Sequence, residues 1–290
     1  MYVNLATSDT IDIMYDSATQ LITEAKKIII IQAENPDGDS LGSSIALEEI
    51  LGDMGKEVIM YCPVEIPKYM RYILGWDRVV SDFDTSANLA IIVDTSADVL
   101  ITKVLETPGV RHFLESHPAL VIDHHTTESN LTFDHTMLSD TAVATSEVIY
   151  KLASDNNWVI NERAAECMMI AIMSDSLGLT TQNVSPNAFF VAGKLTELGA
   201  RNSAIEERRR EFMKKSPEIL AYKGELISRI EYLLDGKLNL PIAETVAGYF
   251  GGGGHKYAAG FRAYEQYDTI VKELVDATDK AITDHGTTAS

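Results

Sequence analysis

Carboxylates and imidazoles recur in this chain at the ends of apolar runs, which is the placement a divalent-metal site requires. Asn35-Pro36-Asp37-Gly38-Asp39 follows the apolar run at 28–32, and Asp123-His124-His125 follows the run ending in Val121-Ile122. An Asp-x-Asp pair and an Asp-His-His triplet offer hard carboxylate oxygens and imidazole nitrogens on tight turns, where several donors can converge on one or two ions. Asp94 ends a third apolar run, and Asp175 stands in the acidic turn Ser174-Asp175-Ser176-Leu177-Gly178. The chemistry such a set supports is metal-assisted attack on a phosphate. Taken singly, each motif has a plainer reading. Asn-Pro-Asp-Gly is ordinary turn sequence, adjacent histidines fit a solvated loop, and Asp94 or Asp175 alone would serve as a helix cap. Their order along one chain favours a shared site.

A second cluster lies near the other end. Gly251-Gly252-Gly253-Gly254 precedes His255 and Lys256. Consecutive glycines let backbone N–H groups turn toward an anion without interference from Cβ, and the two side chains that follow add polar or positive contacts. A flexible hinge is the plainer alternative; the packing-like Ala258-Ala259-Gly260-Phe261 that follows speaks against it.

The elements that must position these residues alternate as in an α/β fold with a parallel sheet and helices on both faces. Strands are predicted at 28–32, 57–62, 89–93 and 119–122, and helices at 11–27, 40–54, 161–173 and 186–198. Asp39 or Ser40 is the expected N-cap of the 40–54 helix. Three strands finish at Asp residues or just before the Asp-x-Asp turn. The crevice of an open parallel sheet lies beyond the carboxyl ends of its strands, so Asp37, Asp39, Asp94 and the Asp123 triplet are expected in one pocket. The stretch 204–222 is polar. Arg208, Arg209, Arg210, Lys214 and Lys215 read there as a helix face paired with Glu206, Glu207 and Glu211 rather than as an RNA track. Helices are expected again at 242–250 and 264–285.

Composition narrows the partners. A chain of 290 residues, 46% hydrophobic, can bury a full core and divide into two domains. Its net charge of −19 argues against gripping long duplexes, a task dominated by lysine and arginine neutralising phosphates, so a nucleic-acid substrate should be short. Cys62 and Cys167 are the only cysteines, no charged-then-apolar leader opens the sequence, and no apolar run approaches a membrane span. The expectation is a cytoplasmic protein without a membrane partner.

The ordered motifs at Asp37 and Asp39, Asp94, Asp123-His124-His125, Asp175 and Gly251 to Phe261 resemble those of the DHH/DHHA1 phosphoesterases. That group includes nanoRNase and pAp-phosphatase enzymes, cyclic-dinucleotide phosphodiesterases and RecJ-like exonucleases, with family II inorganic pyrophosphatase as a close relative. Nearly the whole chain is covered. The resemblance implies a DHH catalytic domain at 1–190, a helical connector at 191–225 and a shortened DHHA1-like substrate-binding domain at 226–290. It implies that Asp37 binds a first metal and Asp39 a second, that Asp94 bridges both, and that His124 and Asp175 complete the second site. His125 would sit beside the bound phosphate, with Asp123 as a carboxylate buttressing the histidines. Gly251, Gly252, Gly253, Gly254, His255 and Lys256 would grip the substrate. The cofactor implied is Mn²⁺, as two ions, with Mg²⁺ as the substitute. The substrate implied is short single-stranded RNA or DNA, or a small nucleotide such as pAp, with a cyclic dinucleotide as the alternative; a homodimer is compatible with this reading.

Two departures from the family pattern qualify it. Family members place a histidine three residues before the motif I proline, where this chain has Ala33. Gln32 and Glu34 flank that position, but strand alternation directs them to the other face. A protein that binds nucleotides without efficient turnover is therefore a second hypothesis. In addition, Leu233-Leu234-Asp235-Gly236-Lys237 is followed almost at once by Leu240-Pro241-Ile242, so a substrate-contacting strand usual in the C-terminal domain has no counterpart.

Overall fold

A computed structural model describes residues 8–125, 128–228, 242–255, 258–260 and 266–288. The chain divides into two units, Met1–Lys214 and Lys215–Ser290.

The first unit is built on a six-stranded sheet of β1 (Lys27–Gln32), β2 (Glu57–Tyr61), β3 (Val79–Val80), β4 (Leu89–Val93), β5 (Ala119–Asp123) and β6 (Thr136–Ser139). The spatial order is β3-β2-β1-β4-β5-β6 and every pairing is parallel. The central strands read as near-continuous apolar sequence because both of their faces are covered. Ile28, Ile30, Ile91 and Ile122 join one core, and Ile29, Ile31, Ile92 and Val121 the other. The first core lies under α1 (Ser8–Glu24), α2 (Gly38–Asp53), α5 (Thr145–Asp155), α6 (Glu162–Asp175) and α7 (Pro186–Glu197); the second lies under α3 (Thr102–Glu106) and α4 (Val110–Ser116).

Strand order reverses direction between β1 and β4. Chain leaving β1 runs toward β2 and β3, whereas β4 leads to β5 and β6, so the carboxyl ends of β1 and β4 flank a topological switch point. The Asp-x-Asp turn follows one of these strands and Asp94 follows the other. The α2 helix begins at that turn. It starts two residues earlier than its sequence suggests, because Asp37 rather than Asp39 or Ser40 is the N-cap. The Asp37 carboxylate accepts from the Ser40 N–H at 2.9 Å, and the Ser40 hydroxyl accepts from the Asp37 N–H at 2.9 Å, a reciprocal capping box.

Small residues let α2 run close against α6. A Cβ on Gly38 would stand 2.5 Å from the Ser174 Cβ, and one on Gly42 would stand 2.7 Å from the Cys167 carbonyl oxygen. This close approach carries Asp39, at the start of α2, toward Asp175, the last residue of α6. Asp175 therefore ends a helix rather than standing in a turn.

The stretch 191–225 is divided between the two units. The α7 helix, whose last part opens this stretch, and then α8 (Asn202–Phe212) belong to the first, where Val191, Leu195 and Ile205 are buried. The α9 helix (Pro217–Ser228) belongs to the second. On α8, Arg209 pairs with Glu206 at 2.7 and 2.9 Å, as its spacing suggests, while Arg208 instead reaches Glu166 on α6. The second unit continues with α10 (Ala243–Tyr249), an antiparallel hairpin of β7 (Gly253–His255) and β8 (Ala258–Gly260), and α11 (Tyr267–Thr288). Ile242, Val246 and Ala281 form its small buried cluster. The shortened stretch around 233–241, together with Lys256 and Phe261, lies outside the described residues. Among the described residues, no helix is long and apolar enough to cross a membrane.

Candidate metal centre

Three carboxylates from three separate elements converge on one buried imidazole. His124 follows β5, and its Nε2 lies 3.4 Å from an Asp175 oxygen, 3.5 Å from Asp94 and 3.6 Å from Asp39. Ligand atoms of Asp39, His124 and Asp175 all lie within 4.8 Å of one another, as do those of Asp94, His124 and His125. The two groups share His124 and are buried except at Asp175 and His125, which are partly open.

Each group is held from behind. Asp39 accepts from the Ser43 hydroxyl at 2.7 Å through one oxygen and from the Thr145 N–H at 2.7 Å through the other. Asp94 accepts from the Thr145 hydroxyl at 3.0 Å. It also holds a left-handed backbone, φ 64°, which turns it out of the alternation of β4; Asp tolerates that region better than most residues. The Nδ1 of His124 faces the Ala142 carbonyl at 3.2 Å. A carbonyl only accepts, so Nδ1 donates, and Nε2 is the nitrogen turned to the carboxylates. Asp123 accepts from both the ring Nδ1 of His125, at 2.7 Å, and its backbone N–H, at 3.2 Å.

Electrostatics make this arrangement costly as bare protein. Among the described residues the only cationic group paired with Asp39, Asp94 or Asp175 is histidine. Burial, reinforced by Asp39, Asp37 and Asp175, raises the Asp94 carboxyl well above the usual range. Burial likewise pushes Asp175 up to about 6, with Asp39 and Asp37 adding to it. For His124 burial acts to lower the pKa, but the bond to Asp175 and the charge of Asp39 outweigh it and hold the imidazole up at about 9. The site thus retains protons for want of positive charge, which is the signature of a cation site. Its donor set of carboxylate oxygens with imidazole nitrogen fits a hard to borderline divalent ion such as Mn²⁺ or Mg²⁺.

Of the residues singled out by sequence, Asp39, Asp94, His124, Asp175 and His125 are brought together, with Asp123 behind His125. Asp123 holds the His125 ring, and the Ala142 carbonyl holds the His124 ring. Asp37 stands outside both groups with one oxygen engaged at the cap of α2, and burial raises its pKa. Ala33 is buried at the end of β1. The Glu34 carboxylate accepts from the Lys103 N–H at 2.8 Å, at the start of α3, consistent with the alternation that directs it away from Ala33.

Thr145 escaped the sequence reading. As the first residue of α5 it donates from both backbone and side chain to two carboxylates, so the positive end of that helix also faces them. The available signal was the polar run Thr145-Ser146-Glu147 opening an apolar helix, with all three residues buried.

In the glycine-rich segment, Gly251 has φ 71° and its N–H bonds the Gly248 carbonyl, while the Gly252 N–H bonds the Ala247 carbonyl. This is a Schellman termination of α10, so two of the four glycine N–H groups close a helix. Gly253 and Gly254 lead into the hairpin, opposite Gly260 and Ala259.

Comparison with known proteins places these features in context. Residues 27–172 match the family model described as "DHH family, N-terminal domain". The chain is 28% identical over 157 residues to a probable manganese-dependent inorganic pyrophosphatase of Enterococcus faecalis, a match covering 52% of this chain and 48% of that protein. It is 25% identical over 201 residues to a probable bifunctional oligoribonuclease and PAP phosphatase NrnA of Streptococcus mutans, covering 68% and 61%. The chain thus spans less than two thirds of the length of these curated relatives. Among solved structures, an exopolyphosphatase-related protein from Bacteroides fragilis superposes with a TM-score of 0.76 at 20% identity, over 93% of this chain and 96% of that one. At that identity the likeness speaks to the fold.

Proposed function

The chain belongs to the DHH family, and from that premise we propose that it is a manganese-dependent phosphoesterase acting on short single-stranded oligonucleotides or small nucleotides. The observation that carries the reading is the convergence of Asp39, Asp94 and Asp175 on the Nε2 of His124. These four residues would hold the better-defined ion, and Asp94 with Asp37 the other. Bound there, divalent cations supply Lewis acidity toward a phosphate oxygen and acidify a water for in-line attack.

The protein's own groups do the rest. Asp123 fixes the His125 ring by its Nδ1, so proton exchange with a substrate runs through Nε2. Thr145 keeps Asp39 and Asp94 oriented so that their remaining lone pairs point inward. His255, Lys256 and the glycines from Gly251 to Gly254 are assigned to the substrate side, with 191–225 as connector and 226–290 as substrate-binding domain. Gly253 and Gly254 are the stronger candidates, because the N–H groups of Gly251 and Gly252 already cap α10.

The named activities of the relatives support hydrolysis of phosphorus esters or anhydrides in general. The net charge of −19 favours short strands over long duplexes, and the two free, buried cysteines suit a reducing cytoplasm. A homodimer remains compatible with this assignment. The buried methyl of Ala33, where the family pattern has an imidazole, favours one competing reading, a nucleotide binder with weak turnover.

Turnover of pAp, a dinucleotide, cyclic di-AMP and pyrophosphate, measured on the full chain across a manganese titration, decides among these. Saturable, manganese-dependent hydrolysis of pAp or the dinucleotide is the expected result. Hydrolysis of pyrophosphate alone would replace the substrate assignment, and ligand binding without turnover under any metal would leave the binder.

A further inference from the structure

A cavity of about 560 Å³ opens in the first unit between the short turn Lys68–Met70, the end of α6 and the face of α8 that carries the buried Ile205. None of the centre's ligating side chains lines it, but two of their chain neighbours do: Gly38, between Asp37 and Asp39, and Ser174, immediately before Asp175. Its volume lies within the roughly 300–1,000 Å³ of small-molecule sites. A group tethered to a phosphate at the centre would have this cavity as its neighbour.

The lining says which group fits. Tyr69, Tyr72, Met173 and Met213 supply aromatic and thioether surface. Among its described lining residues the single cation is Arg209, and it is already engaged: Nε and Nη2 donate to the two Glu206 oxygens at 2.7 and 2.9 Å, and Nη1 approaches the Met213 sulfur at 3.0 Å. A phosphate or polyphosphate chain needs uncommitted cations, and its charge would meet Glu206 here. A flat, neutral, polarisable ring with a hydrogen-bonding edge meets none of these objections. Aromatic faces and sulfur favour stacking on it, while the Glu206 carboxylate and the Asn202 amide offer an acceptor and mixed donors to its edge.

We propose that this cavity is a nucleobase subsite, receiving the base of a nucleotide whose phosphate lies at the Asp39–Asp94–His124–Asp175 centre. The assignment rests on the phosphoesterase reading for the placement of the phosphate, and it adds what that reading lacks, a reason for nucleotides over bare phosphates. Tyr69 is the natural stacking wall, being 51% exposed and so available to a ligand without disturbing the core.

The test compares adenosine 5′-monophosphate with ribose 5-phosphate, which differ only in the base, by calorimetric titration of the full chain with manganese present. The nucleotide should bind about tenfold more tightly, as base–aromatic stacking commonly contributes. Tyr69→Ala should bring that ratio toward one by removing the wall, and Met213→Trp should do so by filling the space, each with the melting temperature checked. Equal affinity for the two ligands in the unaltered protein, or a ratio that survives both substitutions, overturns the subsite. Dinucleotide turnover on the same samples separates the two readings. A base-dependent affinity without turnover would remove the phosphoesterase and leave the cavity, whereas turnover without base dependence would remove the cavity and leave the phosphoesterase.

Discussion

The two units of this chain use similar residue types to opposite structural ends. In the first, glycines are places where backbone packs: Gly38 and Gly42 have no room for a Cβ, and that closeness brings Asp39 beside Asp175. In the second, Gly251 ends a helix and Gly253 has nothing within 4 Å of where a Cβ would stand. The acidic centre is correspondingly over-determined: its carboxylates arrive from the start of α2, the end of β4 and the end of α6, and Asp39 and Asp94 each have a donor behind them. Among the described residues of the second unit, the buried apolar cluster is Ile242, Val246 and Ala281, from the α10 and α11 regions.

The comparison breaks most visibly if the centre tolerates loss of one charge. Asp94→Asn is the sharpest probe, because Asn accepts the left-handed φ of 64° at this position and keeps the side-chain shape, so the carboxylate charge is what is lost. Turnover with saturating manganese should fall about a thousandfold, the scale at which single preorganised electrostatic groups act. A loss of less than about tenfold would mean that Asp94 does not hold the ions.

Proton competition gives the next effect. Groups whose pKa is raised in the bare site hold protons that a metal must displace, so affinity has to fall as pH falls. His124, held up at about 9, must release a proton at any pH near neutrality, and Asp175, at about 6, joins it in more acidic solution. Manganese affinity by calorimetry should therefore drop by about tenfold per pH unit below about 9 and more steeply below about 6, with proton release visible in buffers of different ionisation enthalpy. A flat profile would place the ion elsewhere.

Legibility in the sequence followed the same division. The strands β1, β4 and β5 were readable because runs such as Ile28-Ile29-Ile30-Ile31 are buried on both faces, and the donors at their ends came with them. The edge strand β6 was not, since Leu138 is its one fully buried residue, and β3 has two residues in all. The α5 helix was missed for a physical reason: its first turn is polar because it faces the carboxylates, which erases the apolar periodicity at the point that matters. The N-cap of α2 was misplaced because three candidate capping residues stand within four positions, and only the reciprocal bond to Ser40 selects Asp37. For the glycine run, sequence shows that small residues are required without showing whether a ligand or a helix terminus requires them.

Paired glycine substitutions carry the comparison to its smallest effects. Gly38→Ala forces a Cβ to within 2.5 Å of the Ser174 Cβ, in the wall shared by the centre and the neighbouring cavity. Overpacking of this kind costs about 1–3 kcal/mol, so the main thermal transition should fall by roughly 3–10 °C. Gly253→Ala adds the same methyl where nothing stands in its way, and its stability should stay within about 0.5 kcal/mol of the unaltered protein. If the hairpin holds substrate, that methyl meets the ligand alone, and KM for a dinucleotide should rise about threefold or more at unchanged melting temperature. A Gly253→Ala protein with unaltered KM would mean that the hairpin's glycines serve its own backbone, as Gly251 serves α10, and that substrate recognition resides in the first unit.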